Sequence, residues 1–397
     1  MSGRVPALCS ALPAVLLALA ALLSGCAVPR PVFLALPPEQ GAAVAARLNP
    51  HSQKMASWTG LAPAVERSLS YAASRPPDGI ALERDSLRLT WAQVAASLER
   101  FLEILPRLDA DPDLLAREFR WFRVGPEPLM TGYYAPFVDA SPVRTERYKW
   151  PIYGLPEDLH TVDLGLFHHR WAGQTLVYRI QDGLVAPYHD REAIDFGGAL
   201  AGRGLELAWV ADPVDVFFLH IQGSGLLHFP DGTTRYALYA GKNGHKYVSL
   251  GRVLADRGHL PLEGMSMQVI REFMASNPDL MRDLLSTNPS YVFFRLGDEG
   301  PFGAMNRLLT PLVSVATDPA LLPLGSLLVV EATLPPSAPG GLERPVAALA
   351  LAQDTGGAIK GHRLDYYIGA GPEAAFVAGR IKTPAQCHLL IHRDVLP

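Results

Sequence analysis

Cysteine is nearly absent from this sequence, with Cys9, Cys26 and Cys387 the three thiols among 397 residues. Cys9 falls in an N-terminal apolar leader and Cys26 just after it, so the body of the chain retains Cys387 alone. One thiol cannot close an intramolecular disulfide, and an exported chain of this kind must be held together by its core. An excess of one charge is also missing: 35 basic residues against 39 acidic ones leave a net charge of -4 and a pI near 6.3. That excludes the basic face a nucleic-acid partner requires. Long apolar runs are lacking too. The longest, Ala14 to Leu23, is ten residues, about half of what a membrane-spanning helix needs. No internal repeat and no long low-complexity tract is present. What the chain does hold is 49% apolar residues, ample for a large core, and 35 glycines with 35 prolines, which punctuate many short elements.

The leader has the layout of a signal peptide: Arg4, the apolar run, then "LSGC" from Leu23 to Cys26. Leu-Ser-Gly-Cys looks like a bacterial lipobox, in which cleavage precedes the cysteine and its thiol receives lipid. Residues 1–25 are therefore expected to be removed and Cys26 to be lipidated. Ala27 and Val28 follow with no aspartate beside the cysteine, as in lipoproteins sorted to the outer membrane. Residues 26–50, rich in Pro and Ala, read as a loosely ordered tether. At the other end, Cys387 has His388 and His392 nearby, but the alternation there reads as a strand rather than a metal site.

From about Ser52 to Val124 the apolar period is helical. Val65, Leu69 and Ala72 share one face; Thr90 with Gln93 forms a capping-box signature; Trp91, Val94, Leu98, Phe101 and Leu105 continue the helix to Pro106. Asp111 with Pro112 predicts another helix start, burying Leu115 and Phe119. Beyond Gly125 the period moves towards two. "TLVYRI", "LELAWV", "VDVFFLHIQ", "GLLHF" and "TRYALYA" read as strands, with Pro230 to Gly232 a hairpin turn. Helices are expected at Ser249–Gly258 and Ser266–Leu285, then strands in "YVFFRL", "SVATD", "GSLLVVEA", "VAALALAQD" and "HRLDYY". A strand-rich middle flanked by helical and mixed segments suggests one domain inserted in another with a groove between them. The predicted division is a helical part at 51–130, an inserted β domain at 131–234 and a C-terminal part at 235–397.

Chemistry concentrates in "QDTGGAIKGHRLDYY", Gln353 to Tyr367. Asp354 ends a buried strand and Asp365 begins the next, across a glycine-rich turn. Two carboxyls in a partly apolar site cannot both ionise cheaply, so one is expected to stay protonated near neutral pH, as a general acid must. Asp318, after "SVAT", is a third acid at a strand end. All three could equally cap turns. "HIQGSG" (His220–Gly225) and "TGYYAP" (Thr131–Pro136) offer donors and aromatic faces suited to a sugar. "GKNGHKY" lacks Walker spacing, and "QGSGL" is not a nucleophile elbow, although Ser224 with His220 leaves an acyl-transfer reading open.

Together with "YALYAGKNGHKY", "NPSYVFFR" and "TPLVSVATDPALLPLGS", these blocks occur in an order that resembles the membrane-bound lytic murein transglycosylase A family over nearly the whole mature chain. The resemblance implies a mainly β fold with helices (α+β), a double-psi β-barrel domain carrying an inserted, second β-barrel-like domain, with a glycan groove between the two. It implies cleavage of the β-1,4 bond between N-acetylmuramic acid and N-acetylglucosamine in peptidoglycan, with formation of a 1,6-anhydro ring. By position Asp365 is the catalytic acid, Asp354 its supporting neighbour and Asp318 a structural acid. Thr131, Tyr133, Gln222, Gly223, Ser224 and Lys246 would line the groove, Lys246 standing where the family pattern carries proline. No metal or organic cofactor is implied. The partners implied are glycan strands and, through lipidated Cys26, the outer membrane from its periplasmic side. A glycan binder without catalysis, of expansin type, and a hydrolytic muramidase are the alternatives.

Overall fold

The computed structural model describes residues 32–85 and 87–396, so the expected signal peptide, the lipobox-like stretch and Cys26 lie outside the described residues. Strand β1 (Phe33–Ala35) and helix α1 (Pro38–Ala45) are followed by α2 (Ala62–Ala73), the hairpin strands β2 (Ile80–Arg84) and β3 (Leu87–Thr90), α3 (Trp91–Ile104), α4 (Leu114–Glu118), β4 (Phe119–Val124) and β5 (Leu129–Ala135). A second unit then holds β6 (Phe137–Ser141), β7 (Trp150–Tyr153), β8 (His160–Asp163), β9 (Thr175–Gln181), β10 (Leu184–Pro187) and β11 (Glu206–Val210). It continues through α5 (Pro213–Gln222), β12 (Ser224–His228), β13 (Thr234–Lys242), α6 (Leu250–Asp256), α7 (Met267–Ser276), α8 (Met281–Ser286) and β14 (Val292–Gly297). The chain returns with β15 (Ser314–Ala316), β16 (Leu327–Leu334), β17 (Arg344–Asp354), β18 (Arg363–Ala370), α9 (Gly371–Ala378), β19 (Lys382–Pro384) and β20 (Gln386–His392).

Nine strands from both ends of the chain form one sheet in the order β1-β4-β20-β16-β17-β15-β18-β5-β19. Laid flat, its edges would stand about 38 Å apart at ~4.8 Å per strand. Yet Phe33 at one edge and Ile381 and Ala385 at the other share one buried cluster with Val315, Leu328, Val330 and Ala350. The sheet is therefore rolled into a barrel around that core. Alternation sorts the faces. Leu328 and Val330 of β16 point inward, whereas Leu327 and Val329 face outward and pack with Val65 of α2 and Leu98 and Phe101 of α3. Each such side chain contributes about 1.5–3 kcal/mol by leaving water. The capping box forms as expected: the Thr90 N–H donates to Gln93 Oε1 at 2.9 Å and the Gln93 N–H to Thr90 Oγ1 at 3.3 Å.

Between β5 and β15 the chain builds a six-stranded sheet in the order β14-β13-β12-β6-β11-β7, with a three-stranded excursion β10-β9-β8. A single residue, Pro136, carries the chain from β5 of the barrel into β6 of this sheet. The protein is thus α+β and mainly β, a barrel interrupted by a second β unit. That unit's sheet extends through β13 and β14 to Gly297, past the boundary drawn at 234. Most of β5, placed by the sequence in the insert, belongs to the barrel. The long helical interval between β13 and β14 conceals that the two strands are partners.

Other local expectations change. "VDVFFLHIQ" is helix α5, not a strand: Asp212 Oδ1 accepts the Val214 N–H at 2.8 Å, Pro213 sits at the first turn, and Gly223 ends the helix at φ 74°. Val214, Val216, Phe217, Phe218, Leu219 and His220 are all buried, and a helix enclosed on most sides loses its 3.6-residue signature. The part of the expected tether that is described is built into the fold: β1 pairs with β4 and α1 packs on Trp121. Asp111 does not cap a helix; it pairs with Arg117, and Phe119 begins a strand. The helix expected over Ser266–Leu285 breaks after Ser276, at Asn277 and Pro278.

Candidate active site

Three barrel strands bring the two acids of the glycine-rich stretch together. β15 lies between β17 and β18, and its Ala316 is the register partner of Asp354 on one side and of Asp365 on the other. Their Cα atoms are thus two strand spacings apart, about 10 Å, and the side chains of a register row share a face. Thr131 of β5 extends the row beyond Asp365 and Lys382 of β19 extends it further. Leu364, Tyr366 and Met130 point into the barrel core. Asp365, Tyr367, Thr131 and Tyr133 consequently face out, where β5 leads into the second unit.

The two carboxyls are held differently. Asp354 accepts three hydrogen bonds: Tyr133 Oη to Oδ2 at 2.8 Å, and the N–H groups of Ala304 and Thr355 to Oδ1, both at 2.9 Å. Asp365 accepts one among the described residues, from Thr131 Oγ1 at 2.6 Å. Each side chain lies in a recess, half-buried but densely surrounded by protein. Burial raises Asp354 from 3.8 to about 6 against the pull of those three donors. Asp365 also rises to about 6, chiefly by burial; Thr131 and Arg363 oppose the shift and the Asp354 charge adds to it. Tyr133, half-buried and facing both acids, is pushed by desolvation well above the usual phenol range and stays a neutral donor. Its ring packs on Tyr367 at 5.2 Å. The arrangement keeps a share of protonated carboxyl near neutral pH, with one proton carrier, Asp365, left lightly engaged.

Of the remaining expected residues, Gln222, Gly223 and Ser224 lie where the second unit meets β5. Gln222 ends α5, and its Oε1 accepts the Tyr134 N–H at 3.1 Å, tying the second unit to β5. Gly223 takes the left-handed turn, and Ser224 is buried with its Oγ donating to the Gly223 carbonyl at 2.8 Å. His220 is committed elsewhere: its Nδ1 meets Arg191 Nη1 at 2.9 Å, and its ring lies 4.2 Å from that of Tyr291. Ser224 and His220 therefore form no nucleophile pair. Lys246 is exposed on the loop after β13. Buried Asn243 anchors that loop, donating to the carbonyls of His189 and Pro289 at 2.9 and 2.8 Å. Asp318 accepts the N–H of Gly361 at 2.7 Å and of Ala320 at 3.2 Å, joining the loop after β15 to the glycine-rich turn.

Ala304, Gln353 and Asn243 were not singled out from the sequence. Backbone donors such as Ala304 carry no residue signature, and the amides lie inside strings noticed for other members. At the C-terminus Cys387 faces the barrel core, its thiol pushed up to about 12 by burial, and His388 is held neutral, lowered to about 4. No group of three or more His, Cys, Asp or Glu side chains is placed to hold a metal among the described residues. Nor is any described helix long and apolar enough to cross a membrane.

Comparison with known proteins divides the chain at nearby points, the insert profile beginning with β5. Residues 129–295 match the profile of the MltA specific insert domain, and residues 313–391 match the 3D domain. The chain is 34% identical over 257 residues to membrane-bound lytic murein transglycosylase A of Vibrio cholerae, covering 64% of this chain and 62% of that protein. It is 35% identical over 252 residues to the Escherichia coli protein of the same name, covering 63% and 61%. The matched region thus spans about three fifths of these curated relatives. Among solved structures, a membrane-bound lytic murein transglycosylase from Agrobacterium tumefaciens superposes with a TM-score of 0.72 at 32% identity, covering 84% of this chain and 93% of the other. MltA of E. coli with bound chitohexaose superposes at 0.60 with 30% identity, covering 76% and 83%.

Proposed function

The chain belongs to the membrane-bound lytic murein transglycosylase A family, and from that premise we propose that it cleaves the β-1,4 bond between N-acetylmuramic acid and N-acetylglucosamine in peptidoglycan. The observation that carries this reading is the pairing of Asp354 and Asp365 across Ala316, one carboxyl bound by three donors and the other by one. Asp365, protonated, gives its proton to the glycosidic oxygen as the bond to C1 breaks. As a carboxylate it then takes the proton of the same sugar's C6 hydroxyl, whose oxygen attacks C1 and closes a 1,6-anhydro ring. One residue serves as acid and then base. An ordinary glycosidase needs a second carboxylate for water or for a covalent intermediate. Here the nucleophile is part of the substrate, and its high effective concentration replaces that group. Asp354 keeps Asp365 from ionising too readily, with Tyr133 fixed between the two.

Glycan would lie at the junction of barrel and insert, along Thr131, Tyr133, Gln222, Gly223, Ser224 and Lys246. A relative that holds chitohexaose supports an oligosaccharide there. Lipidation of Cys26 would secure the protein to the periplasmic face of the outer membrane.

Mass spectrometry of sacculus digests tests the reaction. Products lighter by one water per cleavage than those of a muramidase are expected, and Asp365→Asn should abolish them while glycan binding persists. Reducing ends alone would replace this mechanism with hydrolysis. Binding with no cleavage by the wild-type chain would make it a glycan-binding protein.

A further inference from the structure

The meeting of the two acids depends on a one-residue irregularity in β17. Along that strand Ala348, Ala350 and Ala352 point into the barrel, while Leu349 and Leu351 point out. Unbroken alternation would turn Asp354 inward and place Gln353 beside Ala316. Instead the register passes from Val315 opposite Ala352 to Ala316 opposite Asp354, and Gln353 is the extra residue. A bulge of this kind re-aims every side chain beyond it.

The Gln353 side chain is buried, 1% exposed, and its amide is fully engaged. Oε1 accepts from Ser314 Oγ at 2.6 Å; Nε2 donates to the Ala64 carbonyl at 2.8 Å and to Ser68 Oγ at 2.9 Å. Ala64 and Ser68 lie on α2, so the clamp joins the bulge to a helix on the barrel's outer face. Gly303 closes it from the other side: a Cβ there would lie 2.4 Å from the Gln353 carbonyl oxygen. The next residue, Ala304, is the one whose N–H reaches Asp354.

We infer that Gln353 is a positioning residue of this active site: clamped between Ser314 and helix α2, it holds the bulge that turns Asp354 alongside Asp365. The inference rests on the proposed reaction for its meaning, but its test needs no turnover. Without the clamp β17 regains regular alternation, and Asp354 leaves Tyr133 and Ala304. Asp365 is then faced by Arg363 on its own strand, Thr131 and Tyr133 on β5 and Lys382 on β19, with no acid beside it.

The experiment is a carboxyl-carbon NMR titration of the full mature chain labelled at aspartate, in wild type, Asp354→Asn, Gln353→Met and the double variant. The Asp365 midpoint should fall in Asp354→Asn, fall by a similar amount in Gln353→Met, and fall no further when the two are combined. Additive shifts, or an unmoved midpoint in Gln353→Met, overturn the inference. If Gln353→Met does not fold, Ser68→Ala removes a single acceptor from the clamp. It should move the midpoint the same way by less, and no movement there is equally fatal. Failure of the wild-type chain to cut glycan would reject the proposed reaction and leave the titration result standing.

Discussion

Asp365→Asn should cost the protein its activity and at the same time stabilise it, but only above the pH at which the carboxyl ionises. Asparagine keeps the shape, and its Oδ1 can still accept from Thr131 Oγ1, which lies 2.6 Å from Asp365 Oδ1. What disappears is the burden of a charge held in a recess. The Asp365 carboxyl titrates at about 6 in the folded chain against 3.8 for a free side chain, with burial the largest cause. A folded value above the unfolded one means that this contribution to stability is whole below about pH 3.8 and is lost as pH rises through about 6. The rise from 3.8 to about 6, at about 1.4 kcal/mol for each tenfold change in acidity, makes roughly 3 kcal/mol at pH 8, an upper bound because solvent reaches part of the group and screens it. Over the described residues, about 365, the unfolding entropy is about 0.8 kcal/mol per degree, so the variant should melt about 4 °C higher at pH 8 and level with wild type near pH 3.5. Scanning calorimetry at the two pH values, beside a turnover assay, makes the comparison. Equal or lower stability of the variant at both would mean that the recess does not oppose the charge, and the general-acid role would lose its physical basis.

Gly303→Ala places a methyl 2.4 Å from the Gln353 carbonyl and 2.6 Å from Leu309. It should destabilise by about 1–3 kcal/mol through overpacking, read from the urea midpoint, and lower turnover by displacing the Ala304 donor from Asp354. Cys26→Ser should shift the protein from the membrane fraction to the soluble periplasmic fraction on cell fractionation. Retention of that variant on the membrane would point to a second attachment.

Much of the site was legible because its parts are local. Asp354 and Asp365 stand eleven positions apart around a glycine-rich turn, and a turn returns the chain beside itself whatever the rest of the fold does. The Thr90 and Gln93 cap and the β17 and β18 strands belong to the same class. Gln353, next to Asp354, carries no such signal, because a buried amide looks like any other polar residue until its three partners are known. Helix α5 was misjudged for a related reason. Its apolar residues face a sheet on one side and helices on the other, so period carries no information there, while the Asp-Pro start and Gly end were present and outweighed.

The chemistry available is written along the chain: the two acids, the hydroxyl and phenol of "TGYYAP", the glycines that free the backbone, and a family likeness spread over ordered blocks. Those are properties of residue type and short spacing. Which groups meet is settled by the fold. Ala316 as common neighbour of both acids, Thr131 beside Asp365 and Tyr133 on Asp354 follow from strand order and register. So does a bulge held by a helix almost 300 residues away along the chain. Register is a long-range quantity, set by how two distant strands share hydrogen bonds and a core, and no window of sequence contains it.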